Sequence, residues 1–168
     1  MARGALEAHM AGAAAPPVPD TPACRARHGA FVTLRRAGEL RGCIGHIPAD
    51  RSLADTVARM AVAAATEDPR FPPVAPEELA ELRIEVSVLS EPTRLTSSDP
   101  AGIRAGQDGV IVRRGGHQGL LLPQVATEFA WDAEALLAAA CQKAGLRPDA
   151  WRETDTELYV FQVEAFGE

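Results

Sequence analysis

Apolar and polar residues recur along this chain with two periods, and those periods divide it into elements. Over residues 2–11, Ala5, Leu6 and Met10 fall at near-helical spacing and predict a short first helix. The following GAAAPPVPDTP carries Pro16, Pro17, Pro19 and Pro22, so residues 13–29 read as loop. Phe31 to Leu34 is aromatic and β-branched, Ala37-Gly38 offers a turn, and Glu39 to Ile47 returns as the second strand of a hairpin. The run DRSLADTVARMAVAAAT sets Leu53, Val57, Met60 and Ala64 on one helical stripe. Ser52 and Asp55 form a capping-box pattern at its start, and Pro69, Pro72, Pro73 and Pro76 end it.

The second half continues with a turn of helix over Glu77 to Ala80. In LRIEVSVLS, Leu82, Ile84, Val86 and Val88 alternate with Arg83, Glu85, Ser87 and Leu89, the pattern of a half-buried strand. Residues 91–108 read as loop. GVIVRRGGHQGLLLP is a second hairpin, turned by Gly115-Gly116 and closed by Pro123. In WDAEALLAAACQKAGLRPDAW, Asp132 caps a helix, Gly145 ends it, and Leu137, Cys141 and Ala144 face inward. ELYVFQVEAF reads as one final strand. Strands outnumber helices, read antiparallel and show no βαβ alternation, so the class is α+β.

Composition narrows the function. The 168 residues suit a single domain with its own core, 46% of them hydrophobic and 24% charged. A net charge of -6 argues against nucleic acid as the main partner, although Arg25, Arg27, Arg35, Arg36 and Arg41 cluster locally. Cys24, Cys43 and Cys141 lie far apart with no C-x-x-C, which points to a reducing, cytoplasmic compartment. No apolar run approaches the ~20 residues of a membrane helix. Glu7 and His9 interrupt the only apolar part of the start, so it makes a poor signal peptide.

Five motifs in order carry a family resemblance: LRGCIG (Leu40 to Gly45), DPRF (Asp68 to Phe71), IEVSVLS (Ile84 to Ser90), GLLLPQVA (Gly119 to Ala126) and KAGL (Lys143 to Leu146). Together they closely resemble the AMMECR1 domain family, over about Ala5 to Phe166. The resemblance implies one α+β domain over residues 1–168. Its antiparallel sheet is flanked by helices, and a larger and a smaller lobe leave a cleft holding LRGCIG. It also implies company, since AMMECR1, Memo-like and radical SAM domains travel together in many bacteria and archaea. The family's reaction is not settled. Its members begin with a longer first helix, so the first turn of the helix in residues 1–12 is expected to be truncated or to lie upstream of the stated start.

Within LRGCIG, strict alternation puts Leu40 and Ile44 on one face and Arg41, Cys43 and Gly45 on the other, Arg41 and Cys43 being roughly 7 Å apart. Cys43 is the candidate nucleophile, with Arg41 favouring its thiolate and Gly42 and Gly45 letting a ligand approach the backbone. The alternative is a small buried hydrophobe whose glycines admit another piece of chain. Glu85 is the candidate acid/base, or the ion-pair partner of Arg41 across the sheet. Arg70 is a candidate anion contact, against a reading in which DPRF stops the helix, Phe71 packs in the core and Asp68 bonds backbone N–H groups. Gln124, taken as a strand end before a turn, could offer a ligand both donor and acceptor.

His9, His28, His46 and His117 read as surface residues. A metal site from Cys43, His46 and His117 is not favoured, because C-x-x-H is half a signature. Trp131 and Trp151 read as core lids, each with an indole N–H to satisfy, Cys141 as structural and Cys24 as unreactive. No cofactor is implied: the chain lacks the C-x-x-x-C-x-x-C of a radical cluster, so such chemistry would belong to a partner. Two functions follow from this. One is an enzyme or substrate-handling module using Cys43 on a small molecule or modified residue beside Memo-like and radical SAM partners. The other is a non-catalytic module docking a protein through the LRGCIG surface.

Overall fold

The computed structural model describes residues 1–168. The chain divides into two compact units, Met1–Leu89 with Glu164–Glu168, and Ser90–Val163. Each is built on a four-stranded antiparallel sheet with helices, so the class is α+β.

In the first unit, α1 (Ala2–Met10) leads through a short helix α2 (Pro22–Arg25) to β1 (Ala30–Arg36) and β2 (Glu39–His46). α2 lies inside the stretch read as loop. Thr21 starts it by accepting the Cys24 N–H, and Pro22 fits its first turn. Ala37 and Gly38 both adopt positive φ, the twist a two-residue hairpin turn needs. α3 (Leu53–Thr66) begins at Ser52, whose side chain accepts the Asp55 N–H, while Asp55 pairs with Arg59 and leaves the box half made. A 3₁₀ turn, Pro76–Glu81, precedes β3 (Leu82–Leu89). The sheet order is β2-β1-β3-β8, with β8 at Val163–Gly167. Ala30, Val32 and Leu34 of β1 are fully buried against α3, with Leu6, Val57, Ala61 and Ala64 in the same core.

In the second unit the order is β4-β7-β5-β6, from β4 (Thr93–Arg94), β5 (Gly109–Arg114), β6 (His117–Leu121) and β7 (Glu157–Phe161). β4 and a 3₁₀ turn at Pro100–Gly102 occupy the 91–108 stretch that read as loop. Pro123 opens a helix, α4 (Pro123–Glu128), rather than simply closing the hairpin. α5 (Ala133–Lys143) is capped by Asp132, which accepts the Ala135 N–H at 2.8 Å, and Gly145 follows it with φ of 74°. Leu136, Leu137, Ala140 and Cys141 bury against Val110, Val112 and Leu158. Trp151 is buried there, but its indole N–H finds no partner.

The ELYVFQVEAF segment corrects the expectation of one strand. It breaks at Gln162 into β7 and β8, which belong to different sheets. The Gln162 N–H and C=O bond Ser90 rather than continuing either ladder.

Candidate functional site

The LRGCIG segment is β2, an edge strand of the first sheet. Its pairing with β1 is irregular: Leu34 opposes Gly42 but Arg35 opposes Leu40, which leaves Arg41 as an extra, bulged residue. The bulge overturns the face assignment made from strict alternation. Leu40 joins the row of Arg35, Cys43 joins that of Thr33, and Gly45 that of Phe31, all on the face away from α3. Ile44 stays on the core face.

Arg41 therefore does not stand beside Cys43 on a flat strand. Its side chain is only 14% exposed and binds Glu78 through two contacts of 2.9 Å. It also donates to the carbonyls of Pro72 and Pro73. Glu78 accepts the Ala75 N–H and pairs with Arg36 as well. The Arg41 guanidinium first, and the Ala75 N–H second, hold the Glu78 carboxyl down at about 2. Glu85 is thus not the partner of Arg41; the partner is Glu78, which the sequence reading placed in a mere turn of helix.

The two glycines are explained by the chain itself. A Cβ on Gly42 would meet the Ala64 carbonyl oxygen at 2.0 Å, so α3 can lie this close to β2 only where the side chain is missing. A Cβ on Gly45 would meet the Phe31 ring at 2.2 Å, and that ring lies over the glycine from its cross-strand position. Both side-chain spaces are filled by protein rather than left open beside a ligand.

Cys43 is half-buried, and its Sγ lies 3.3 Å from the Thr33 hydroxyl. Its backbone faces out from the sheet edge, where an unpaired strand normally offers free N–H and C=O groups. The DPRF segment supplies both partners. Asp68 Oδ2 accepts the Cys43 N–H at 2.8 Å, and an Arg70 terminal nitrogen reaches the Cys43 carbonyl at 3.4 Å. Arg70 closes the clamp by binding both Asp68 oxygens, at 2.9 and 2.7 Å. The Asp68 side chain is 2% exposed and that of Arg70 54%. The Arg70 guanidinium, then the Cys43 and Arg70 N–H groups, hold the Asp68 carboxyl well below the usual carboxylate range. Asp68 is thus a site residue that the sequence reading treated only as a bonder of nearby backbone, which it also is.

Arg70 keeps one terminal nitrogen free of hydrogen bonds and sits 5.5 Å over the Phe71 ring. Phe71 is half-buried and outside the core clusters, which corrects the expectation that it packs inside. Glu85 pairs in register with Thr33, so Cys43, Thr33 and Glu85 form one row across three strands on one face. Two strand spacings separate Cys43 from Glu85 by roughly 10 Å. Gln124 belongs to the second unit, exposed in the first turn of α4 and without a hydrogen bond; it ends no strand. His46 bonds Asp50, and His117 bonds the Ala144 carbonyl. Burial pushes the Cys141 thiol up, consistent with a packing residue.

A family model described as AMMECR1 matches residues 1–166. The chain belongs to the AMMECR1 family. A relative from Methanothermobacter thermautotrophicus, described only as a protein, is 49% identical to this AMMECR1 chain, with all of this chain and 91% of the relative aligned. Protein TK0174 of Thermococcus kodakarensis is 46% identical over 90% of the chain and 78% of its own length. The crystal structure of the uncharacterized protein PH0010 from Pyrococcus horikoshii superposes with a TM-score of 0.92 at 41% identity, covering 99% of this chain and 87% of that one. These AMMECR1 relatives bring no assigned reaction. No helix of the chain is long and apolar enough to cross a membrane.

Proposed function

We propose that this AMMECR1-family protein is a substrate-handling module in which Cys43 is the nucleophile toward an electrophilic small molecule or modified residue. The carrying observation is the asymmetry at Cys43. Both of its backbone groups are fixed by Asp68 and Arg70, while its half-buried thiol meets a single hydroxyl, that of Thr33. A reacting group gains from such positioning. The Arg70 terminal nitrogen left free by these bonds suits a carboxylate or similar anion on the substrate. Glu85 lies too far along the row to take the thiol proton directly, so its role is toward a substrate spanning the row. Memo-like and radical SAM proteins are its partners in this reading, through the company the family keeps.

Docking through the LRGCIG surface is the other reading. It draws less support, because Arg41 is held by Glu78 and the proline carbonyls rather than presented to a partner. The discriminating experiment follows alkylation of each cysteine across pH by mass spectrometry. Cys43 reacting faster than Cys24, with Cys141 silent until unfolding, supports the nucleophile. A Cys43 that stays inert in the folded protein overturns it.

A further inference from the structure

The end of α4 holds an aromatic ring out in water. The Trp131 N–H donates to the Ala126 carbonyl at 2.9 Å and the Ala130 N–H to the Thr127 carbonyl at 3.4 Å, the paired bonds of a Schellman helix end. That motif needs a left-handed residue, usually glycine, and here Ala130 takes the place at φ of 51°. Alanine has fewer alternative backbone states than glycine, so the turn is the stiffer for it. Trp131 packs on the core of the second unit, and Phe129 stacks on Trp131 with ring centroids 4.9 Å apart and planes 22° from parallel. Phe129 is nonetheless 57% exposed, more than Met1, Val18 or Phe166. Phe71, Tyr159 and Trp151 each lie under an arginine, Arg70 at 5.5 Å, Arg113 at 5.0 Å and Arg152 at 3.9 Å, whereas Phe129 has none. Glu128 and Asp132 flank the stacked pair in sequence, exposed and in no ion pair, while Glu134 is held by Arg152. Asp132 gives one oxygen to the Ala135 N–H, which leaves the other open.

We propose that Phe129, stacked on Trp131 between Glu128 and Asp132, is a docking site for an arginine-bearing segment of a partner polypeptide. Charge complementarity selects the occupant. A purely apolar partner would bury the ring but strip water from two carboxylates without replacing it. A nucleic acid would bring phosphates against the same carboxylates. A guanidinium suits both parts, because its plane stacks on an aromatic face while its N–H groups pair with a carboxylate. Lysine offers no such plane. A ring this exposed touches a small free molecule on one side only, so a polypeptide that adds a second cation for the second carboxylate is the better fit. The stacked, stiffened rings present the contact already ordered, which lowers the entropy lost on binding. The site uses no residue at Cys43, so it stands or falls independently of the nucleophile reading.

The test labels the full chain with 5-fluorotryptophan at its two tryptophans, Trp131 and Trp151, and follows both fluorine resonances by NMR. The probe is the peptide acetyl-Gly-Arg-Gly-Arg-Gly-amide. A saturable shift of the Trp131 signal is expected, with the buried Trp151 signal unmoved. The lysine and citrulline versions of the peptide, and free argininamide, should each bind at least fivefold more weakly. Phe129→Leu should weaken the arginine peptide at least fivefold. Glu128→Gln with Asp132→Asn should weaken it at least tenfold, and asparagine keeps the helix cap. The Trp151 signal reports that each variant is folded. Glu91→Gln, an exposed carboxylate elsewhere in the second unit, should change nothing. Absent saturation at Trp131, equal binding of the lysine or citrulline peptide, or wild-type affinity in either set of variants would overturn the proposal. So would argininamide binding as tightly as the peptide, which makes the site one for a small free guanidinium. A Trp131 shift on concentrating the chain alone would make a second copy the occupant and overturn it too.

Discussion

The carboxylate of Asp68 accepts the backbone N–H of Cys43 at 2.8 Å, across 25 residues of sequence. It stands where a neighbouring strand would otherwise bond, and Arg70 completes the imitation at the Cys43 carbonyl. The clamp covers the β2 edge and fixes the thiol-bearing residue at once. Asp68→Asn keeps one acceptor but loses the charge that binds Arg70. Its expected cost is about 1–3 kcal/mol in denaturant unfolding, together with a changed Cys43 alkylation rate in the folded protein. An unchanged rate would show that the clamp serves stability alone.

Gly42→Ala should destabilise by about 1–3 kcal/mol, since the new methyl meets backbone of α3 that cannot move aside alone. Gly116→Ala, with nothing within 4 Å and no positive φ, is the matched control and should fall within about 0.5 kcal/mol of wild type. Thermal melts of the pair decide it.

Glu78 and Glu85 exchange the roles expected from sequence. Glu78→Gln breaks the pair with the mostly buried Arg41 and is expected to cost about 1–3 kcal/mol. Glu85→Gln makes no such break and should leave the melting temperature nearly unchanged. Equal melting temperatures for the two variants would contradict this assignment.

Acid should weaken the fold through these same carboxylates. Glu78 titrates at about 2 in the folded chain, held there by Arg41, against ~4.3 unfolded. Asp68 is also depressed, by Arg70 first. The unfolded chain therefore binds more protons in this window, so both contributions are complete above the unfolded values and fade as pH falls toward the folded ones. Denaturant midpoints measured from pH 6 down to pH 2 should decline for wild type and decline less for Glu78→Gln.

Thr33→Val removes the only hydroxyl beside the Cys43 sulfur while keeping β-branching and volume. The fold should survive and the Cys43 alkylation rate should change, with Cys24 unaffected. A rate equal to wild type at every pH would remove Thr33 from the site.

Local signals were legible in the chain because they depend on near neighbours. Ser52 and Asp132 mark helix starts by bonding N–H groups three residues on, and Ala37-Gly38 turns its hairpin through its own backbone angles. The five motifs gave the family and with it the fold class. Cys43 and Arg70 could be singled out as residues, and the structure places them in contact.

Tertiary structure decided what alternation cannot. One bulged residue at Arg41 moved Leu40 to the other face and turned the arginine toward Glu78, because a period of two holds only while the ladder is unbroken. The glycines of LRGCIG could be noticed, but only packing showed that Ala64 and Phe31 occupy their space. Gln162 divides an apparently continuous strand between two sheets, since its backbone bonds Ser90, 72 residues away. Partners this distant leave no periodic trace, so the sequence named the residues and the fold chose their neighbours.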